Sequence, residues 1–137
     1  MASKLNQDER ASLLPVLQEN GWRTAKQSDA IRKVWKFENF EQAWGFMAQA
    51  ALLAEKMDHH PDWRNVYNVV DVELSTHSCK GLSILDYELA RALDAIPHKG
   101  KVLFQSPLPE REPGQDEVDE PDPRPDLGTD LSEDFLD

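Results

Sequence analysis

Cysteine is almost absent from this 137-residue sequence, in which Cys79 stands alone. A single thiol excludes an internal disulfide framework and any structural zinc site built on cysteines. Long apolar runs are also missing, and no stretch approaches the ~20 residues that a membrane-crossing helix needs. Positive charge is scarce, with 15 Lys and Arg against 26 Asp and Glu and a formal net charge of −11. That balance argues against a general nucleic-acid binder, which needs a basic stripe to displace phosphate counterions. No glycine-rich phosphate loop, nucleophile elbow or Walker-type motif occurs, so nucleotide hydrolysis and acyl transfer have no residues to carry them. The first ten residues, Met1 to Arg10, have acids and no apolar core. A secretory or import signal is therefore not expected. The expectation is a soluble cytoplasmic protein, small enough to enter a nucleus by diffusion, that binds neither membrane nor nucleic acid directly.

The acids are unevenly spread. Residues 98–137 hold 12 acids, four bases and six of the nine prolines, a net of −8. Only Phe104 and Phe135 are aromatic there. Such a segment cannot bury enough apolar surface to offset its ordering entropy, and it reads as an acidic, Pro-rich disordered tail. Its end, with Leu127, Leu131, Phe135 and Leu136 among acids, reads as a solubilising tail or a short docking motif. Residues 1–97 carry a net of only −3 with all four Trp, and form the predicted domain.

Within 1–97 a first helix is expected over Gln7–Glu19, capped by Asn6 with Glu9, and kinked by Pro15 or starting effectively near Ser12. Trp22–Thr24 and Ile31–Phe37 read as strands, the second with period-2 alternation. The longest helix starts at the Asn39/Gln42 capping pair and is expected to reach about His59, before Pro61. Its predicted core stripe is Phe40, Ala43, Trp44, Met47, Ala50, Ala51 and Ala54, with Phe46 and Leu53 as a surplus apolar line suited to an oligomer interface. Trp63–Tyr67 and Val70–Thr76 follow as strands joined near Asn68. A last helix is capped by Ser83 with Asp86, and buries Leu85, Leu89, Ala92, Leu93 and Ile96. The order α-β-β-α-β-β-α predicts a two-layer α+β domain, a four-stranded antiparallel sheet with helices on one face.

Three histidines stand at special places. His59 and His60 are expected at the C-terminal end of the long helix, where the helix dipole favours imidazolium, and His77 at the end of the fourth strand. Asp58 adjoins them, and Glu55 lies four residues before His59 on one helix face. These neighbours would push the histidines towards protonated acids near neutral pH, as protonating a leaving hydroxyl requires. The same His-His-Pro reads otherwise as a helix end with two polar caps. Zinc binding by His59, His60 and His77 has weak support, because adjacent helical residues point about 100° apart. Cys79 reads as an ordinary buried or half-buried thiol rather than a ligand.

The stretch Glu55-Lys56-Met57-Asp58-His59-His60-Pro61-Asp62-Trp63-Arg64-Asn65-Val66-Tyr67-Asn68 closely resembles the signature of the pterin-4a-carbinolamine dehydratases. Leu74-Ser75-Thr76-His77 and Gly81-Leu82-Ser83-x-x-Asp86 resemble that family's second block. Phe37-x-x-Phe40 and Ala43-x-Gly45-Phe46-Met47 resemble its animal members. The resemblance spans about Asp8 to Ile96. It implies dehydration of 4a-hydroxytetrahydrobiopterin to quinonoid dihydrobiopterin, in tetrahydrobiopterin recycling, with no metal and no organic cofactor. It makes His59, His60 and His77 the catalytic set, with His59 and His77 the candidates for proton transfer and His60 for holding the pterin, the division among the three left open. Asp58, Ser75, Thr76 and Ser78 would supply polar contacts, Pro61 and Trp63 would line the pocket, and Glu55 would support it. Asp86 reads either as a supporting residue or as the first-turn partner of the Ser83 cap. The resemblance also implies a homodimer or homotetramer assembled through the long helix. An alternative role is that of a coactivator, a dimerisation cofactor for homeodomain transcription factors of the hepatocyte nuclear factor type, through the same helix.

Overall fold

The computed structural model describes residues 2–110. The expected disorder of the acidic chain after Glu110, and the motif at Leu127–Asp137, lie outside the described residues. Helix α1 spans Gln7–Glu19. Its start is fixed by a reciprocal pair of bonds: the Glu9 N–H donates to Asn6 Oδ1 at 2.8 Å, and the Asn6 N–H to Glu9 Oε1 at 2.9 Å. That box satisfies two of the helix's orphan donors. The helix therefore begins at Gln7 rather than near Ser12 and runs continuously through the exposed Pro15. Gly21, with φ +96°, reverses the chain, and a Cβ there would stand 2.8 Å from Val102.

The sheet is antiparallel throughout. Its strands are β1 (Arg23–Thr24), β2 (Ile31–Lys36), β3 (Asp62–Val66), β4 (Val69–Leu74) and β5 (Lys101–Leu103), in the order β1-β2-β4-β3, with β5 also on β2. β4 occupies one edge of β2, so β1 and β5 share the other, at Ile31–Arg32 and Val34–Lys36 respectively. The sheet thus has five strands rather than four. The fifth comes from beyond Pro97, where the apolar Val102 and Leu103 lie half-buried.

Helix α2 (Phe40–Met57) and helix α3 (Ile84–Asp94) cover one face of the sheet together with α1. Trp35, Val70, Val72 and Leu74 from the sheet meet Leu17, Phe46, Ala50, Leu89 and Leu93 in one core. The side of α2 that enters this core is Ala43, Phe46, Met47, Ala50 and Ala54. This corrects the predicted stripe. Phe46 is core and Leu53 packs against it, whereas Phe40, Trp44 and Leu52 are 47%, 57% and 74% exposed. Two apolar lines run along α2, and periodicity alone does not say which of them faces the sheet.

Two charged groups of the sheet are buried. Lys33, on the helix-facing side of β2, places Nζ 2.6 Å from Asp94 Oδ1 and 4.9 Å from the Trp35 ring centre. The Trp22 indole N–H donates to the same carboxylate at 3.0 Å. On the opposite face Asp71 is fully buried, accepting from Arg32 at 2.9 Å and from Arg64 at 2.9 Å. Burial alone would raise the Asp71 pKa, but the guanidinium bonds and charges of Arg32 and Arg64 outweigh it and hold it below the usual carboxylate range.

Two outcomes are expected. Leu89→Ala, in a fully buried position, should lower the unfolding free energy by about 2–5 kcal/mol in urea titration, through lost transfer energy and cavity formation. Because the Asp71 pKa is depressed in the folded state, its contribution is complete above the unfolded carboxylate pKa and is lost as pH falls through the folded value. Acid titration of stability should therefore show a decline below about pH 4 that is shallower in Asp71→Asn.

Candidate active site

The site grows from the way α2 ends. Its last turn closes with the Asp58 N–H donating to Glu55 O and the His59 N–H reaching back to Ala54 O, both at 3.1 Å. These are the paired 5→2 and 6→1 bonds of a Schellman end. Asp58 holds the left-handed conformation, φ 52° and ψ 41°, which such an end requires. The helix therefore stops at Met57 rather than at about His59, and His59 and His60 lie beyond it. One consequence is that Glu55 pairs with His60, not with His59: Oε1 is 3.2 Å from His60 Nε2.

His59 turns inward. It is buried, with Nε2 2.6 Å from Asp86 Oδ1. The other oxygen of Asp86 accepts from the Thr76 hydroxyl at 2.7 Å and from the Ser83 N–H at 2.9 Å. Thr76 Oγ1 and Ser83 Oγ are 2.5 Å apart. Both readings of Asp86 therefore hold at once: Oδ2 completes the capping box of α3, and Oδ1 holds the histidine. A carboxylate that already accepts two bonds is an acceptor towards His59 as well, which puts the ring hydrogen on Nε2. Nδ1 makes no hydrogen bond among the described residues.

Three more predicted residues gather at the surface beside this corner. Glu55, Asp58 and His60 are all exposed and each brings one ligand-type atom within 4.8 Å of the others. Of the three histidines considered as a metal set, only His60 is in this cluster. His77 directly follows Thr76 and opens a 3-10 turn over His77–Cys79, with His77 and Ser78 exposed. Cys79 is half-buried, its thiol 3.5 Å from Gly81 O. Pro61 is half-buried, and Trp63 packs against the core from β3. Ser75 does not face the histidines through its hydroxyl, which donates to Asp29 O at 3.0 Å.

Sequence reasoning missed the brace behind the site. Arg10 grips Asp29 with two bonds of 2.8 and 2.9 Å, and Asp29 also accepts from the Leu82 N–H at 3.2 Å. The Arg10 hydrogen bond, against the opposing effect of burial, holds the Asp29 carboxyl below its ordinary pKa. This pins α1 to the loop just before Ser83. The pair is 19 residues apart, and no local pattern announces it. The fourth histidine, His98, sets its ring edge-on to Trp35 and Phe46. Partial burial, with the nearby Lys33 charge, pushes its pKa down.

Residues 3–96 match the Pterin 4 alpha carbinolamine dehydratase family. The chain is similar to a "Putative pterin-4-alpha-carbinolamine dehydratase" of Jannaschia sp. (strain CCS1), 48% identical over 96 residues, covering 70% of this chain and 98% of the relative. A protein of the same name from Bradyrhizobium sp. (strain ORS 278) is 49% identical over 96 residues, covering 70% and 94%. Among solved structures, the "transcriptional coactivator/pterin dehydratase from Brucella Melitensis" is 47% identical with a TM-score of 0.63, covering 68% of this chain and 97% of that one. Among the described residues no helix is long and apolar enough to cross a membrane.

Asp86→Asn should reduce the unfolding free energy by about 1–3 kcal/mol, because an amide cannot accept from Ser83 and Thr76 and also face His59 without leaving a buried group unpaired. Thr76→Val removes only one donor, and its effect should be the smaller in the same denaturant titration.

Proposed function

The chain belongs to the Pterin 4 alpha carbinolamine dehydratase family, and on that premise we propose that it dehydrates 4a-hydroxytetrahydrobiopterin to quinonoid dihydrobiopterin in tetrahydrobiopterin recycling. The single observation that carries the mechanism is the buried His59–Asp86 hydrogen bond. In the reaction the C4a–O bond breaks and the leaving hydroxide takes a proton from an acid. N5 gives its proton to a base, so the sum is loss of one water. Nothing is oxidised or reduced, and two positioned proton-transfer groups suffice.

His59 suits one of these roles. With Nε2–H directed to Asp86, Nδ1 is the position that gains or gives the transferred proton. An imidazolium formed there is compensated by the carboxylate at 2.6 Å, the relation that orients and stabilises a catalytic histidine. His77, on the turn after Thr76, takes the other role. His60, with Glu55 and Asp58 beside it, holds the heterocycle, and Thr76 and Asp86 act through His59. Ser78, with Pro61 and Trp63, completes the lining. The chemistry is assigned to residues 1–97, and the chain that follows serves another purpose.

A second reading attaches to α2. The exposed Phe40, Trp44 and Leu52 give this helix an uncovered apolar side, which supports assembly of a homodimer or homotetramer, or a homeodomain protein as partner. Coactivation is named for the Brucella relative, and the proposal for this chain is a helix-mediated contact independent of the histidines.

Replacing His59 and His77 together by Ala should lower kcat/KM for carbinolamine dehydration by at least about 10²–10⁴-fold, with helix-mediated association unchanged. Full turnover by the double variant contradicts the mechanism. A chain ending at Glu110, which retains β5, should dehydrate as fast as the full chain.

A further inference from the structure

The residues after the family-matched region 3–96 do more than add a strand. From β5 the chain passes over the face of the sheet opposite the helices. There Ser106 Oγ lies 3.4 Å from Asp71 and Arg64 Nη1 donates to Pro109 O at 2.7 Å. Between this strap, β1 and β2 is a cavity of about 320 Å³. Its lining includes Arg23, Lys26, Arg32 and Lys33, with Glu110 as the single acid among the described residues. In a chain of net charge −11 this is an unusual concentration of cations.

Their charges are not equally answered. Lys33 is paired with Asp94, and Arg32 with Asp71. Arg23 makes no ion pair among the described residues; its guanidinium lies over the Phe104 ring at 4.8 Å from the centroid. Lys26 has only a long 3.4 Å contact to Glu110, with both side chains largely exposed, an arrangement of little energetic weight. The cavity therefore presents two cations in need of an anion.

We propose that the cavity is the docking site of this chain's own acidic segment, residues 112–122. The described chain reaches Glu110 at the cavity, already touching Lys26. The next twelve residues bring Glu112, Asp116, Glu117, Asp119, Glu120 and Asp122 against a single Arg111. Six residues of extended chain span at most ~20 Å, long enough to bring these carboxylates to Arg23 and Lys26. Tethering supplies them at an effective concentration on the order of millimolar, which a free anion must exceed to displace them.

The test is zero-length carbodiimide cross-linking of the full chain, read by peptide mass spectrometry. Lys26 should join to acids within 112–122 in greater yield than the exposed Lys36, Lys56 and Lys80 do. That Lys26 yield should fall about fivefold in Arg23→Glu and in 1 M NaCl, and less in Arg23→Gln. An even spread over all exposed lysines overturns the proposal, as does a Lys26 yield unchanged in Arg23→Glu. Cross-links between isotopically distinct chains in place of internal ones overturn it too, by making the occupant a second copy. None of these readouts depends on dehydratase activity, so they stand or fall apart from it.

Discussion

The Asp86 carboxylate joins three pieces of chain that end in one corner: the turn after α2, the end of β4 and the first turn of α3. Oδ1 holds His59, while Oδ2 accepts from Thr76 and from the Ser83 N–H. A buried carboxylate without such partners would cost several kcal/mol, and breaking one partner out of a buried pair typically costs about 3–5 kcal/mol. Each partner of this carboxylate therefore adds to the stability of the corner. The same carboxylate that caps a helix also holds a histidine ring, so the start of α3 and the placing of His59 rest on one side chain.

Around that joint the fold supplies rigidity from outside the site. The Schellman end of α2 directs consecutive histidines to different environments, His59 inward and His60 outward to Glu55. The left-handed Asp58 makes this possible, since a helix continued through His59 would carry both rings on its own surface. The Arg10–Asp29 clamp fixes the approach to Ser83. The buried Lys33–Asp94 pair, braced by Trp22, ties β2 to the far end of α3. Helix α3 is thus tied at both ends by carboxylates, Asp86 to the site and Asp94 to the sheet.

Much of this could be read from local pattern. The Asn6/Glu9 and Ser83/Asp86 capping boxes are signals three residues long, and each helix starts where its box predicts. The antiparallel α+β plan follows from strand alternation and element order. The His-His-Pro block marks the end of α2, where His59 and His60 part. What escaped has long-range or rotational causes. Phe40 and Trp44 are large and apolar yet face outward, because which stripe of α2 packs is decided by the sheet and not by the helix. A left-handed Asp58 looks like any other Asp in a sequence, and only glycine would have announced the turn. The three residues of β5 sit within an acidic, Pro-rich stretch and become a strand only because β2 offers an edge. Two functions of Asp86 overlap on one residue, so a reading that asks for one or the other sees half.

The central claim is that Asp86 accepts a hydrogen bond from His59 Nε2 and so presents Nδ1 to the substrate. The most direct measurement is nitrogen-15 NMR of the His59 ring in the free protein under conditions where the imidazole is neutral. The account predicts the Nε2–H tautomer in the native chain, with that preference lost in Asp86→Ala. A neutral His59 carrying its hydrogen on Nδ1 in the native chain would contradict it.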